Sequence, residues 1–140
     1  MSTTSSPTSS VGSRPLVSAI PELAPEGELA VVPIGDFTTE AGAVLADAHV
    51  AYQRWGAFAG DPDGVNNVLV VEHALTGDSN VADWWADLVG PGKALDTTKW
   101  CVIATNALGG CNGSTGPKSL HPDGKPWGGR FPALSIRDLV

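Results

Sequence analysis

The apolar positions of this chain fall into short runs whose spacing changes along the sequence. Leu29 to Phe37 and Val44 to Arg54 read as two strands joined by a turn at Thr39-Glu40-Ala41-Gly42. In the second run Val44, Ala46, Ala48, Val50 and Tyr52 share one face, and Asp47, His49 and Gln53 share the other. That period of two predicts a half-buried antiparallel strand. Val68-Leu69-Val70-Val71 shows no alternation, which suits a strand covered on both faces. Lys99 to Thr105 is a second apolar strand of this kind. Between them Asp83 to Val89 reads as a short helix stopped by Gly90-Pro91, and Asp61-Pro62-Asp63-Gly64 as a turn. Both apolar strands are expected to keep an open edge unless further strands pair with them.

The run at Val68–Val71 breaks abruptly into His73-Ala74-Leu75-Thr76-Gly77-Asp78-Ser79, a small and polar segment. It falls at the carboxyl end of the strand, the edge at which open α/β sheets bind ligands. A loop there can aim backbone N–H groups at a developing negative charge, the oxyanion-hole device of acyl transfer.

Residues 106–132 are dense in glycine and proline. Loops of that length are uncommon in compact domains and are usually functional or disordered. Ser135 and Asp138 then form a capping-box pair followed only by Leu139 and Val140. A helix of so few residues does not persist alone. The expectation is therefore a helix start belonging to a longer polypeptide. Residues 1–27 read as a flexible Ser/Thr-rich tail and a proline-containing approach segment, leaving 28–140 as an incomplete folded domain.

Composition narrows the classes. A hydrophobic share of 42% in 140 residues fits one globular domain. The net charge of −7 argues against non-specific nucleic-acid binding. The charge is uneven: residues 1–92 hold 12 acids and two bases, whereas residues 93–140 hold three acids and six bases. Beyond ordinary solvated surface, this admits Lys118, Lys125 or Arg130 beside an anionic ligand. No run approaches the ~18–20 apolar residues of a membrane span. The first 14 residues lack the apolar core of a secretory signal. Cys101 and Cys111 supply too few ligands for a structural zinc site and read as reduced thiols of a cytoplasmic protein.

Ser114, in Asn112-Gly113-Ser114-Thr115-Gly116, superficially suggests a nucleophile elbow. That motif requires G-x-S-x-G directly between strand and helix, whereas position 112 is Asn and Pro117 follows at once. Ser114 is read as a turn residue. Gly110 to Ser119 misses the phosphate-loop spacing. His73 has no Asp or Ser at a diagnostic spacing, so its ring is expected to bond the backbone and shape the loop. His49 and His121 are expected at the surface. Trp84, Trp85, Trp100 and Trp127 are read as core or loop-anchoring aromatics.

Three blocks, HALTGDS at 73–79, LVGPGKALDTTKWCVIATNALGGCNGSTGP at 88–117 and GKPWGGRFPALSIRDLV at 124–140, resemble the homoserine O-acetyltransferases, most closely actinobacterial members. The resemblance covers roughly residues 27–140. It implies the N-terminal part of an α/β-hydrolase fold, with an antiparallel hairpin leading into a mostly parallel sheet. It also implies acetyl transfer from acetyl-CoA to the hydroxyl of L-homoserine in methionine biosynthesis, with acetyl-CoA as co-substrate and no separate cofactor or metal. Related enzymes use succinyl-CoA or serine, and a catalytically dead binding module on the same fold is the rival of another class.

By the same resemblance the backbone N–H of Leu75 contributes to the oxyanion hole, and Thr76, Gly77 and Asp78 line the site mouth. Asn106 to Gly110 would pack beside it. The nucleophilic serine, in a G-G-S-M-G-G elbow, its Asp/His partners and a substrate-gripping arginine would lie beyond Val140. The whole enzyme would be a cytoplasmic homodimer without nucleic-acid or membrane partners. The stretch between Ser79 and Trp84 is shorter than in many members.

Overall fold

The computed structural model describes residues 23–60, 64 and 66–140. Most of the expected tail, and the turn at Asp61 to Asp63, lie outside the described residues. Four strands form one sheet: β1 (Ala30–Thr38), β2 (Val44–Trp55), β3 (Val68–Val71) and β4 (Cys101–Thr105). Their spatial order is β1-β2-β4-β3, with β1 and β4 antiparallel to β2 and β3 parallel to β4. The Thr39–Gly42 turn closes with Gly42 N–H donating to Thr39 O at 2.8 Å. The parallel crossover carries the short helix α1 (Val81–Trp84).

This topology corrects the expectation of two open apolar strands. β4 is paired on both sides, by β2 and β3, so only β3 carries an unpaired apolar edge beside the crossover. There Val70 is 62% exposed. The helix also departs from expectation: it starts two residues earlier and gives way to turns after Trp84. A run of seven residues with a tryptophan pair and two acids lacks the length to sustain helix without packing on both sides.

The simple alternation in β2 is overturned as well. Its buried residues are Leu45, Ala48, Ala51, Gln53 and Trp55, not the even-numbered face. One of two register shifts against β1 spans the left-handed Asp47 (φ 49°), where an extra residue of β2 carries burial from Leu45 to Ala48. From Ala51 onward burial alternates on the odd positions. Trp55 thereby joins Val71, Val81, Val89, Val102 and Ala104 in the core. The chain leaves β2 through Gly56 at φ 83°, where an added Cβ would lie 2.1 Å from Trp100 O. Only glycine permits that approach.

The capping box at the end of the chain holds a single 3-10 turn, Ile136–Asp138, docked on the β1–β2 turn. The Asp138 carboxylate accepts the N–H groups of Ser135 and Glu40, each at 2.7 Å, and Arg137 pairs with Glu40 at 2.9 Å. These backbone donors, Ser135 first, hold the Asp138 carboxyl below its usual range. A depressed folded pKa stabilises above the unfolded value of about 3.9 and loses that contribution as pH falls through the folded value. Acidification through that depressed value, below the ordinary carboxylate range, should therefore release the turn in the folded protein. An NMR titration should show the Glu40 amide moving with Asp138, and a Glu40 amide indifferent to acid would contradict it.

Candidate active site

The carboxyl ends of β3 and β4 lie level with one another, beside Tyr52 and Gln53 of the antiparallel β2. The segment 73–79 leaves β3 there. Its centre is a tight turn in which Gly77 N–H donates to Ala74 O at 2.8 Å. His73 Nδ1 lies 2.7 Å from the same carbonyl. A carbonyl can only accept, so this nitrogen carries the proton, and the ring shapes the loop as its sequence position suggested. Leu75 and Thr76 occupy the turn's two central positions. No acceptor among the described residues takes the N–H of either. The Leu75 side chain is fully exposed, so the turn presents backbone, not packing, at this point.

Ala74, Thr76, Gly77, Asp78, Asp83 and Trp84 line an open cavity of about 350 Å³ over the turn. Trp84 donates its indole N–H to Asp78 O at 3.1 Å, and Asp78 accepts the N–H of Asn80 at 2.9 Å. Trp84 is thus a loop anchor, and like Trp85 and Trp100 it remains partly exposed instead of filling the core. Trp127 stacks edge-on against His121 and Phe131.

Beyond Thr105 the chain continues beside β2 as an irregular extension of β4. Asn106 N–H donates to Ala51 O at 2.8 Å and Thr115 N–H to His49 O at 3.0 Å. The Ser114 and Thr115 hydroxyls accept the N–H groups of Ala51 and His49 at 2.8 and 2.9 Å. Ser114 donates its own proton to Asn106 O. It is buried with both functions occupied, so the structure makes it a surrogate strand partner, not an exposed nucleophile.

A larger cavity, about 590 Å³, lies apart from the 73–79 turn and is lined by residues including Asp47, His49, Thr115, Lys118 and His121. Of the three cations singled out by charge, Arg130 is paired with Asp123 at 2.7 Å. The Arg130 guanidinium, followed by the Lys125 N–H, holds that carboxyl well below the usual range. Lys118 borders the cavity. Burial pushes the Cys101 thiol up, and Cys111 is exposed; both are free.

The sequence reading missed Gln53, which it placed on the solvent face of β2. Gln53, Ser79 and Asn106 instead form a buried polar group under the turn. The usable signal was a polar residue at the carboxyl end of an apolar strand, Asn106, facing a Ser at the end of the preceding strand's loop.

The sheet order, the parallel β3–β4 pair and the ligand-edge loop define the N-terminal part of an α/β-hydrolase-type domain. Solved structures agree. Esterase E22 superimposes with a TM-score of 0.70 at 32% identity, over 80% of this chain and 34% of the esterase. The homoserine O-acetyltransferase from Bacillus anthracis gives a TM-score of 0.66 at 27% identity, over 79% of this chain and 33% of that one. In sequence, the homoserine O-acetyltransferase of Corynebacterium efficiens is 65% identical over 121 residues, 86% of this chain and 32% of the relative. No family model matches the chain. By sequence and fold the chain corresponds to the N-terminal part of the homoserine O-acetyltransferase family. It spans about a third of the length of the curated relatives it matches.

Proposed function

We propose that these residues form the oxyanion-bearing part of an enzyme that moves an acetyl group from acetyl-CoA to the hydroxyl of L-homoserine, a step of methionine biosynthesis in the cytoplasm. The observation that carries the reading is the turn at 74–77, where among the described residues the N–H groups of Leu75 and Thr76 have no acceptor at the carboxyl end of β3. Attack by a serine on the thioester carbonyl would place negative charge on its oxygen. Donors fixed beforehand stabilise that charge without reorganising. Leu75 N–H is the assigned donor, with Thr76, Gly77 and Asp78 lining the mouth. Collapse of the tetrahedral species expels CoA as thiolate, and the homoserine hydroxyl then takes the acetyl group through a second such species. The nucleophile and its His/Asp partners belong to sequence corresponding to the remaining two thirds of the relatives, in a polypeptide that works as a homodimer.

Hydrolysis is the second reading, favoured by the likeness to esterase E22. The two differ only in whether homoserine or water resolves the acyl-enzyme. Mixing the complete polypeptide with acetyl-CoA should release CoA in step with O-acetylhomoserine, and removing homoserine should nearly stop it. CoA release at the same rate without homoserine would establish the hydrolase instead. A preference for succinyl-CoA or serine would place the enzyme with the related acyltransferases. The 140 residues alone should release no CoA.

A further inference from the structure

The turn that presents Leu75 is short, solvent-facing and poor in packing, yet its end is held by a buried polar group. Ser79 is 1% and Asn106 3% exposed. Asn106 Oδ1 accepts the Ser79 N–H at 2.8 Å, while Asn106 Nδ2 donates to Ser79 Oγ at 3.0 Å and to Asn112 O at 2.6 Å. Ser79 Oγ is 2.7 Å from Gln53 Oε1, and Gln53 Nε2 donates to Gly27 O at 2.8 Å.

The direction of every proton in this chain follows from one fixed point. The Ser79 N–H can only donate, so Asn106 must turn its oxygen toward it and its NH₂ toward Ser79 Oγ and Asn112 O. With Ser79 Oγ accepting from Asn106, its single proton goes to Gln53 Oε1. That leaves Gln53 Nε2 for the Gly27 carbonyl. Each of these bonds has one direction, and a network satisfied in this way specifies one arrangement. It fastens the end of the 73–79 segment to β2, to the end of β4 and to the 106–112 loop.

We infer that Asn106 is a positioning residue for the oxyanion donors, acting through Ser79, with Gln53 completing the set. The inference rests on the acyl-transfer reading above. Asn106 touches no substrate. Its task is to keep the 74–77 turn from sliding along the sheet edge. A misplacement of 1 Å at a catalytic group costs about 10²-fold in rate. Without Asn106, Ser79 N–H and Asn112 O lose their partners, and the segment is left with the Ser79–Gln53 bond, Trp84 and the turn's internal bonds as anchors.

The test uses the complete acyltransferase with acetyl-CoA and homoserine. Asn106→Ala should lower kcat by about 10²-fold. The KM for acetyl-CoA should change little, because the donors act on the transition state. Ser79→Ala keeps its N–H on Asn106 and should cost less. The double variant should cost less than the product of the two single losses, since both act on one element. Gln53→Glu, which keeps an acceptor for Ser79, should retain more activity than Gln53→Leu. Assays well below the melting temperature of each variant, with melting recorded alongside, separate positioning from folding. A parent enzyme without transferase activity would refute the acyl-transfer reading. A fully active parent whose folded Asn106→Ala variant keeps its kcat, or whose two single losses multiply in the double variant, would overturn the positioning role alone.

Discussion

Replacing the Leu75 amide by an ester in the complete enzyme should lower kcat for acyl-enzyme formation by about 10²–10³, or about 2.7–4 kcal/mol, the usual cost of one oxyanion donor. The N–H of Leu75 is free among the described residues while its side chain is fully exposed. Leu75→Ala should therefore leave the rate near that of the parent. Leu75→Pro removes the donor but also fixes φ and can distort the turn. The ester has a side effect of its own, because it weakens the Ala74 carbonyl that His73 and Gly77 share. An ester at Gly77 measures that loosening alone, since it deletes the turn bond and leaves Leu75 N–H in place. The Leu75 ester should be the slower of the two by at least tenfold. If it matched the parent, and an ester at Thr76 did not, Thr76 would be the donor.

The second large effect concerns the 140 residues on their own. β3 has four residues and a partner on one side only. Val70 on β3, Leu75, Leu120 and Ile136 all expose apolar surface. An open, apolar parallel strand is a template for another chain. The 140 residues in isolation should aggregate or hold a fluctuating state that binds ANS and lacks fixed tertiary packing. A sharp thermal transition with dispersed amide signals would show that the core around Trp55 and Val102 suffices by itself. Adding sequence that pairs with β3 should convert the behaviour to a single cooperative transition.

Local signals made much of this architecture legible. The four-residue run at Val68–Val71 is β3 with the same bounds, because a wholly β-branched and leucine strand has no competing periodicity. The Thr39–Gly42 turn and the long loop after Thr105 are also where glycine and polar residues put them. The phase of β2 was not legible. Nothing in Val44 to Tyr52 announces that the register against β1 shifts at a left-handed Asp47, so that burial skips from Leu45 to Ala48 and Ala51 before it alternates. Strand order was hidden for the same reason: that β4 inserts between β2 and β3 depends on contacts between distant residues.

At the site, the free N–H groups followed from the loop's place at a strand end together with the family resemblance. The Gln53–Ser79–Asn106 group did not, since period two assigned Gln53 to solvent. For Ser114 the sequence excluded the nucleophile, through Asn112 and Pro117, and the structure adds the positive role: its hydroxyl bonds Ala51 and Asn106 beside β2.

The central claim is that these residues stabilise the oxyanion and do not supply the nucleophile. It is tested most directly by acid-quenching the complete polypeptide with acetyl-CoA and no acceptor, then locating the trapped acetyl group by peptide mass spectrometry. The account expects one acetyl group on a serine outside residues 1–140, with Ser114→Ala trapping it equally well if the variant folds. An acetyl group on Ser114, or on any other side chain of these 140 residues, would contradict it.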